Sequence, residues 1–307
     1  MKKSVSRPTN ALTTVSIALA TYNGSAFLPE LLDSLERQTV RPDEVVIHDD
    51  GSQDQTVSIL HQYQHNLPLT IHVNDQSVGV VANFKRAVAG CKGDYVAFCD
   101  QDDVWLPDKI ARSIEKLREI DGPWPAMVFT DLVVVDQHLN RIADSYWQHR
   151  KLMPQKETFA SLLYGNFVTG CTMVINRPMA EEVARMPDDV LMHDFWITCV
   201  AYGVGRCTYV ETPTILYRQH TTNVTTNDKI TLSTRLKRLK TFLQDSVQAA
   251  QFLLPEVKQA EQFAGLYSRQ LKSTDQKTLS QFIDLKNHLP LYRRLQAFKI
   301  KFLRIIS

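Results

Sequence analysis

The sequence predicts an α/β fold: a mixed, mostly parallel sheet flanked by helices, with a helical appendage at the C-terminus. Three observations predict it. Over the first half, short apolar runs alternate with helical leucine spacings, the pattern of βαβ units. Acidic clusters follow two of those runs directly, at the strand ends where open α/β sheets bind ligands. From about Asp228 onward glycine almost vanishes and leucine, lysine and glutamine dominate, as in amphipathic helices.

Taken in order, strands are expected at 15–20, 44–48, 70–73, 95–99 and 126–130, each rich in β-branched or aromatic residues. Helices are expected between them at 27–38, 54–65, 79–89 and 107–120. Leu28, Leu31, Leu32 and Leu35 share one face of the first, and Pro107 suits the first turn of the last. Residues 140–155 read as a polar connection carrying Trp147 and His149. A helix at 156–164, a strand near 171–175, helices from about Pro178 and Asp194, and short strands at 206–210 and 214–218 follow. Residues 1–224 then form one body, with a first half at about 15–135 and a second at about 136–224, and residues 225–307 form the appendage.

Composition narrows the classes. At 307 residues, 44% hydrophobic and 22% charged, the chain is ordinary for a globular protein. Its five cysteines include no Cys-x-x-Cys pair, and Cys99 and Cys171 lie in apolar runs. Buried free thiols fit this better than a disulfide framework or a zinc site. Lys2 and Lys3 before the apolar run at 15–20 loosely resemble a secretory leader, but that run is six residues long and enters a turn motif at once, so it reads as a strand. No run approaches the roughly 18 apolar residues of a membrane-spanning helix. A cytoplasmic protein is expected, and no nucleic-acid partner. The net charge of +2 is unevenly spread: residues 225–307 hold fifteen Lys and Arg against six Asp and Glu. A basic tail on an acidic body suggests anionic partners for the tail.

The stretch Asp100-Gln-Asp-Asp-Val-Trp105 carries the most chemistry. Its carboxylates stand between a strand and a helix, where hard oxygen donors suit Mg²⁺ or Mn²⁺, and such ions suit a diphosphate. The plainer reading is a solvated acidic loop. Tyr22, in Thr21-Tyr-Asn-Gly24, ends the first strand and can stack on a nucleobase. After the second strand comes Asp49-Asp-Gly-Ser-Gln-Asp54, where Asp50 can meet a ligand and Ser52 or Asp54 can cap the next helix. Asp194 can cap its helix, and His220 follows a short apolar run. Asp131 either contacts a ligand or ends its strand, and Trp105 reads first as core.

Together these motifs resemble the family-2 inverting glycosyltransferases with the GT-A fold. Those that carry the resemblance are Ala-Thr-Tyr-Asn-Gly at 20–24, Asp-Asp-Gly-Ser at 49–52 and Asp-Gln-Asp-Asp-Val-Trp at 100–105, followed by Gly-Asn-Phe-Val-Thr-Gly at 165–170, His-Asp-Phe-Trp at 193–196 and Tyr-Arg-Gln-His at 217–220. The subgroup that shares the acidic and Tyr-Arg-Gln-His motifs is rhamnosyltransferase-like, from bacterial surface polysaccharide assembly. The resemblance implies that Thr21, Tyr22, Asp50 and Asp100 serve the nucleotide sugar. Asp102 and His220 would hold Mg²⁺ or Mn²⁺, and Asp194 would be the general base. Gly170 and Trp196 would lie on the acceptor side. Many relatives have Glu-Asp where this chain has His193-Asp194, which leaves His193 without a role. The implied donor is a dTDP- or UDP-sugar and the acceptor a lipid-linked or growing surface glycan.

An alternative is a catalytically inactive GT-A-like scaffold, though the intact Asp102, Asp194 and His220 speak against it. A nucleotide-cofactor oxidoreductase lacks its phosphate cradle, since Thr-Tyr-Asn-Gly and not Gly-x-Gly-x-x-Gly follows the first strand. Residues 291–306 combine an apolar face with Arg293, Arg294, Lys299, Lys301 and Arg304. They suggest contact with an anionic membrane surface, at the inner face of the plasma membrane, or oligomerisation. For 228–286 a helical bundle packed on the body is equally open.

Overall fold

A computed structural model describes residues 13–220 and 251–306, with side chains described up to Ile300. Lys2, Lys3 and the tail segment 225–250 lie outside the described residues, as do the side chains of Lys301 and Arg304.

The expected alternation is present. β1 (Val15–Thr21), β2 (Glu44–Asp49), β3 (Leu69–Val73), β4 (Tyr95–Asp100) and β6 (Ala126–Thr130) alternate with α1 (Leu28–Glu36), α2 (Thr56–Tyr63), α3 (Val80–Gly90) and α4 (Lys109–Arg118). Pro107 precedes the N-cap residue Asp108 of α4 and does not lie within its first turn. β9 (Val174–Asn176) leads into α7 (Arg177–Ala184), whose N-cap Asn176 accepts from the Met179 amide. α8 (His193–Gly203) and β10 (Arg206–Val210) follow. The main sheet runs β10-β6-β9-β4-β1-β2-β3, with β9 antiparallel to both of its neighbours and every other pair parallel. Register fixes what meets at its carboxyl edge: Thr21 pairs with Asp49, and Ala20 with Asp100.

Alternation along each strand builds a core on both faces. Ile17 and Leu19 of β1 and Ala97 and Cys99 of β4 pack with the leucines of α1 and with Ile110 and Leu117 of α4. Ala18, Val96 and Phe98 face the other way, onto Phe84 of α3, Met179 of α7 and Trp196 of α8.

A second, four-stranded sheet was not expected in full. β5 (Val104–Trp105), β7 (Val133–Asp136), β8 (Arg141–Ala143) and β11 (Ile215–Gln219) form it in the order β5-β11-β7-β8. Only the last of these strands stood among the expected elements. The supposed polar connection at 140–155 therefore contains β8 and a short helix, α5 (Tyr146–Arg150), with Trp147 buried against Phe129. The helix expected at 156–164 shrinks to α6 (Phe159–Leu162), whose N-terminus is closed by a reciprocal capping box of Thr158 and Ser161. The antiparallel pairing of Trp105 with Ile215 and Val104 with Leu216 is functionally decisive. It returns residues 218–220 to the acidic loop after more than a hundred residues of intervening chain.

Beyond the undescribed segment, α9 (Leu254–Tyr267) and α10 (Ser273–Asp284) pack on the body, and α11 (Pro290–Ile306) ends the chain. Val257, Ala260, Phe263 and Tyr267 share one face of α9 and are buried together with Trp196. The Phe263 ring lies 5.8 Å from the Trp196 ring, and the Tyr267 hydroxyl donates to Glu182 at 2.6 Å. Among the described residues no helix is long and apolar enough to cross a membrane.

If α9 completes the core in this way, Phe263→Ala lowers stability by about 3–5 kcal/mol, the range for a buried ring truncated to alanine. Urea unfolding followed by tryptophan fluorescence measures it; a loss below about 1 kcal/mol would mean that α9 is not part of the core.

Candidate active site

The carboxyl ends of β1, β2 and β4 open onto a cavity of about 450 Å³, closed on its far side by the start of α8 and the turn at Thr169 and Gly170. Thr21, Tyr22, Asp50, Asp100, Asp102, Gly170 and Asp194 all line it, although they are spread over more than 170 positions of sequence. His220 joins them through a contact between its Nε2 and Asp102 Oδ2 at 2.8 Å. Trp196 does not. It is fully buried between Phe263 and Tyr267, so the acceptor-side position expected for it is corrected to the core. α8 is apolar on nearly every side, which buries it whole.

The three aspartates after β4 take three different environments. Asp103 turns inward, fully buried, accepts the Arg218 amide at 3.1 Å and lies beside Cys171. Asp102 turns to His220, and Asp100 turns to the cavity. Donor atoms of Asp100, Asp103 and Cys171 also come within 4.8 Å of one another. A thiol raised well above its usual range by burial makes that trio a poor match for the hard oxygen set of Mg²⁺ or Mn²⁺. Burial, then the charges of Asp102 and Asp194, raise the Asp100 carboxyl.

Arg218, to which sequence reasoning gave no role, holds this loop. Buried, it donates from Nε to the Asp102 carbonyl at 2.8 Å and from Nη1 to the Gln137 carbonyl at 2.7 Å. Its Nη2 pairs with Glu30, and its guanidinium stacks 4.6 Å from the Phe27 ring. A charge inside a short apolar strand was the available signal. Gln101 clamps the neighbouring turn, accepting the Tyr22 amide at 2.8 Å and donating to the Tyr22 carbonyl at 2.9 Å. The Tyr22 ring, half exposed, stands at the rim.

Other residues prove structural. The Thr21 hydroxyl donates to Asp49 at 2.7 Å, and Asp54 accepts from the Thr56 amide at the start of α2. Asp50 accepts from Val78 N (2.7 Å), Gly79 N (3.0 Å), Ser77 Oγ (2.7 Å) and Asn74 Nδ2 (3.1 Å). Burial works against the Asp50 charge, but these bonds prevail and hold the carboxyl below its usual range. Asp50 thus shapes the wall at Ser77 and Gly79 from inside the cavity. Asp131 ends its strand by accepting from the Leu132 and Trp147 amides and is not among the lining residues. Trp105 is core, with the Lys109 ammonium 4.6 Å from its ring.

Asp194 occupies the second position of α8; the N-cap residue is Met192, so Asp194 is not itself the cap. Burial pushes its carboxyl up to about 7 despite hydrogen bonds from the Phe195 and Gly170 amides and from Asn166. A carboxyl balanced near neutrality is suited to taking up a proton. Beside it, His193 stacks on Phe84 at 4.1 Å and lies 5.6 Å from Phe98. Burial holds this ring neutral, with its pKa down at about 3, and neither ring nitrogen has a hydrogen-bond partner among the described residues. It forms a neutral slab of the cavity wall. A Cβ on Gly170 would stand 3.1 Å from its Nε2, which explains the glycine.

Comparison with known proteins agrees with this geometry. The model of glycosyl transferase family 2 matches residues 16–183. The dTDP-rhamnosyl transferase RfbG of Shigella flexneri is 27% identical over 238 residues, covering 72% of this chain and 78% of that one. Among solved structures, residues 1–349 of S. aureus TarS in complex with UDP-GlcNAc superpose with a TM-score of 0.57 at 18% identity, covering 94% of this chain and 89% of that one. The mannosyltransferase PcManGT from Pyrobaculum calidifontis, in complex with GDP-Man and Mn²⁺, gives 0.55 at 18% identity, covering 97% and 84%.

Proposed function

The chain belongs to glycosyl transferase family 2 and is a glycosyltransferase, and on that premise we propose an inverting, divalent-cation-dependent enzyme that moves a sugar from a nucleoside diphosphate to a hydroxyl of a glycan. One observation carries the reading. Four aspartates line the cavity, and among the described residues that line it there is no lysine or arginine. A diphosphate brought alone to such a site would meet only like charge. The donor therefore needs a cation brought with it or held for it.

Asp102 and His220 are the residues that would hold that ion. Their donor atoms are already paired, their carboxylate and imidazole suit Mn²⁺ or Mg²⁺, and the Asp102 backbone is strapped by Arg218. The ion, when bound, supplies Lewis-acid neutralisation of the charge that builds on the departing diphosphate. Tyr22 at the rim offers a stacking face for the base, with Thr21, Asp50 and Asp100 forming the nucleoside end of the cavity. RfbG is named a dTDP-rhamnosyl transferase, and TarS and PcManGT were solved with UDP-GlcNAc and GDP-Man. The RfbG name supports a dTDP-deoxysugar such as dTDP-rhamnose as donor, and the TarS complex a UDP-hexose as the alternative. The acceptor would be a lipid-linked or growing surface glycan.

Asp194 has the chemistry of the base. The acceptor hydroxyl must lose its proton as its oxygen attacks the anomeric carbon. The bond to the diphosphate oxygen breaks as the new glycosidic bond forms, and the proton passes to Asp194. Attack from the face opposite the leaving group inverts the anomeric centre in one step. His193, neutral and stacked, keeps positive charge away from Asp194 and so leaves its basicity to burial and hydrogen bonding.

Donor hydrolysis and transfer assays with Mn²⁺ test this reading. Chelation with EDTA is expected to abolish turnover, with recovery on adding Mn²⁺. Asp102→Asn is expected to lower kcat about a hundredfold or more, and activity untouched by that change would refute the metal assignment; absence of turnover in the unsubstituted protein with Mn²⁺ would favour the scaffold alternative. The pH profile follows from Asp194. Only its ionised form accepts a proton, so kcat/KM is expected to rise about tenfold per pH unit below about 7 and to level off above it. Asp194→Asn is expected to lower kcat by about 10²–10⁴. A profile flat from pH 5.5 to about 8 would remove Asp194 from the role.

A further inference from the structure

The last helix meets the body with one face and turns an apolar stripe the opposite way. α11 is held by Arg293, buried, whose Nη1 donates to the Phe252 carbonyl at 3.0 Å, and by the buried Ala297 one turn later. Leu291, Leu295 and Phe298 share another face by their i, i+4, i+7 spacing, about half a turn away. They are 67%, 58% and 67% exposed, and Leu289 just ahead of the helix is 77% exposed. Three large apolar side chains on one exposed strip, with a fourth just ahead of it, are unusual for a protein surface. Arg294 lies on one margin of the strip and Lys299 on the other, and the sequence continues the spacing at Phe302 with Lys301 and Arg304 nearby.

We infer that α11 is a docking helix for a bilayer surface rich in anionic headgroups. The stripe would enter the boundary between headgroups and acyl chains, while the flanking cations reach lipid phosphates from its margins. Charge argues for this occupant over two others. A second copy laid face to face would bring the same cations against each other. The chain's own segment 225–250 is also net basic.

The test is independent of the transferase reading. Full-length protein is floated with vesicles of phosphatidylcholine alone and of phosphatidylcholine with phosphatidylglycerol in about a three-to-one ratio. Binding to the mixed vesicles is expected to be about tenfold tighter or more, and to weaken at high salt. Leu291→Glu with Leu295→Glu, both exposed, is expected to abolish it without changing Tm. Lys299→Glu is expected to weaken it about fivefold. Failure of the full chain to float with either vesicle, or equal binding by the doubly substituted protein, would overturn the inference. So would a dimer in light scattering that the same two substitutions dissolve.

Discussion

Like charge must be managed at the end of β4. Three carboxylates within four residues enter a site where little water reaches them, and each needs its own partner for the loop to exist. Asp103 accepts the Arg218 amide at Oδ1, Asp102 meets His220, and burial first, then the charges of Asp102 and Asp194, make Asp100 hold its proton more tightly. Arg218 is the common element. It bonds the Asp102 carbonyl with its side chain and Asp103 with its backbone, so a single buried cation sets the direction of both neighbouring carboxylates.

The rest of the architecture follows from bringing Arg218 there. The acidic loop belongs to the main sheet, whereas Arg218 arrives on β11 of the second sheet. Pairing between β5 and β11 brings the two together, although β5 has only two residues. The first sheet presents Thr21, Asp50 and Asp100, the second brings Arg218 and His220 to the acidic loop, and α8, propped by α9, presents Asp194 from a third direction. Packing of Phe263 and Tyr267 on Trp196 thus bears on the site as well as on stability: it seats the helix that carries the base.

Much of this was legible in the sequence because it obeys local rules. β1, β2, β4 and β6 are apolar runs buried on both faces, α1 and α4 show one-sided leucine and isoleucine spacing, and α3 buries Phe84, Ala87 and Val88 on one side. The candidate site residues were chosen through motif order, and the main sheet's register explains why Thr21, Asp50 and Asp100 converge on one cavity. The second sheet was hard to read because β5 and β8 are two and three residues long, too short for any period to register. The turn at Gln101 and Asp102 divides the three aspartates: it brings Asp103 back beside Asp100 and Cys171 and leaves Asp102 facing His220, which spacing alone does not show. Trp196 did carry a signal, since a helix with no polar side has no surface on which to display a sugar-stacking ring. What sequence could not supply was the neutral state of His193, which depends on Phe84 and Phe98 closing over it from separate elements.

The central claim is that the cavity, lined by carboxylates without a basic side chain, accepts a nucleoside diphosphate only together with a cation held at Asp102 and His220. Isothermal titration of dTDP into the protein, with and without Mn²⁺, measures this directly. The account predicts affinity about a hundredfold higher with Mn²⁺, and loss of that gain in His220→Ala. Equal affinity in the presence and absence of Mn²⁺ would contradict it.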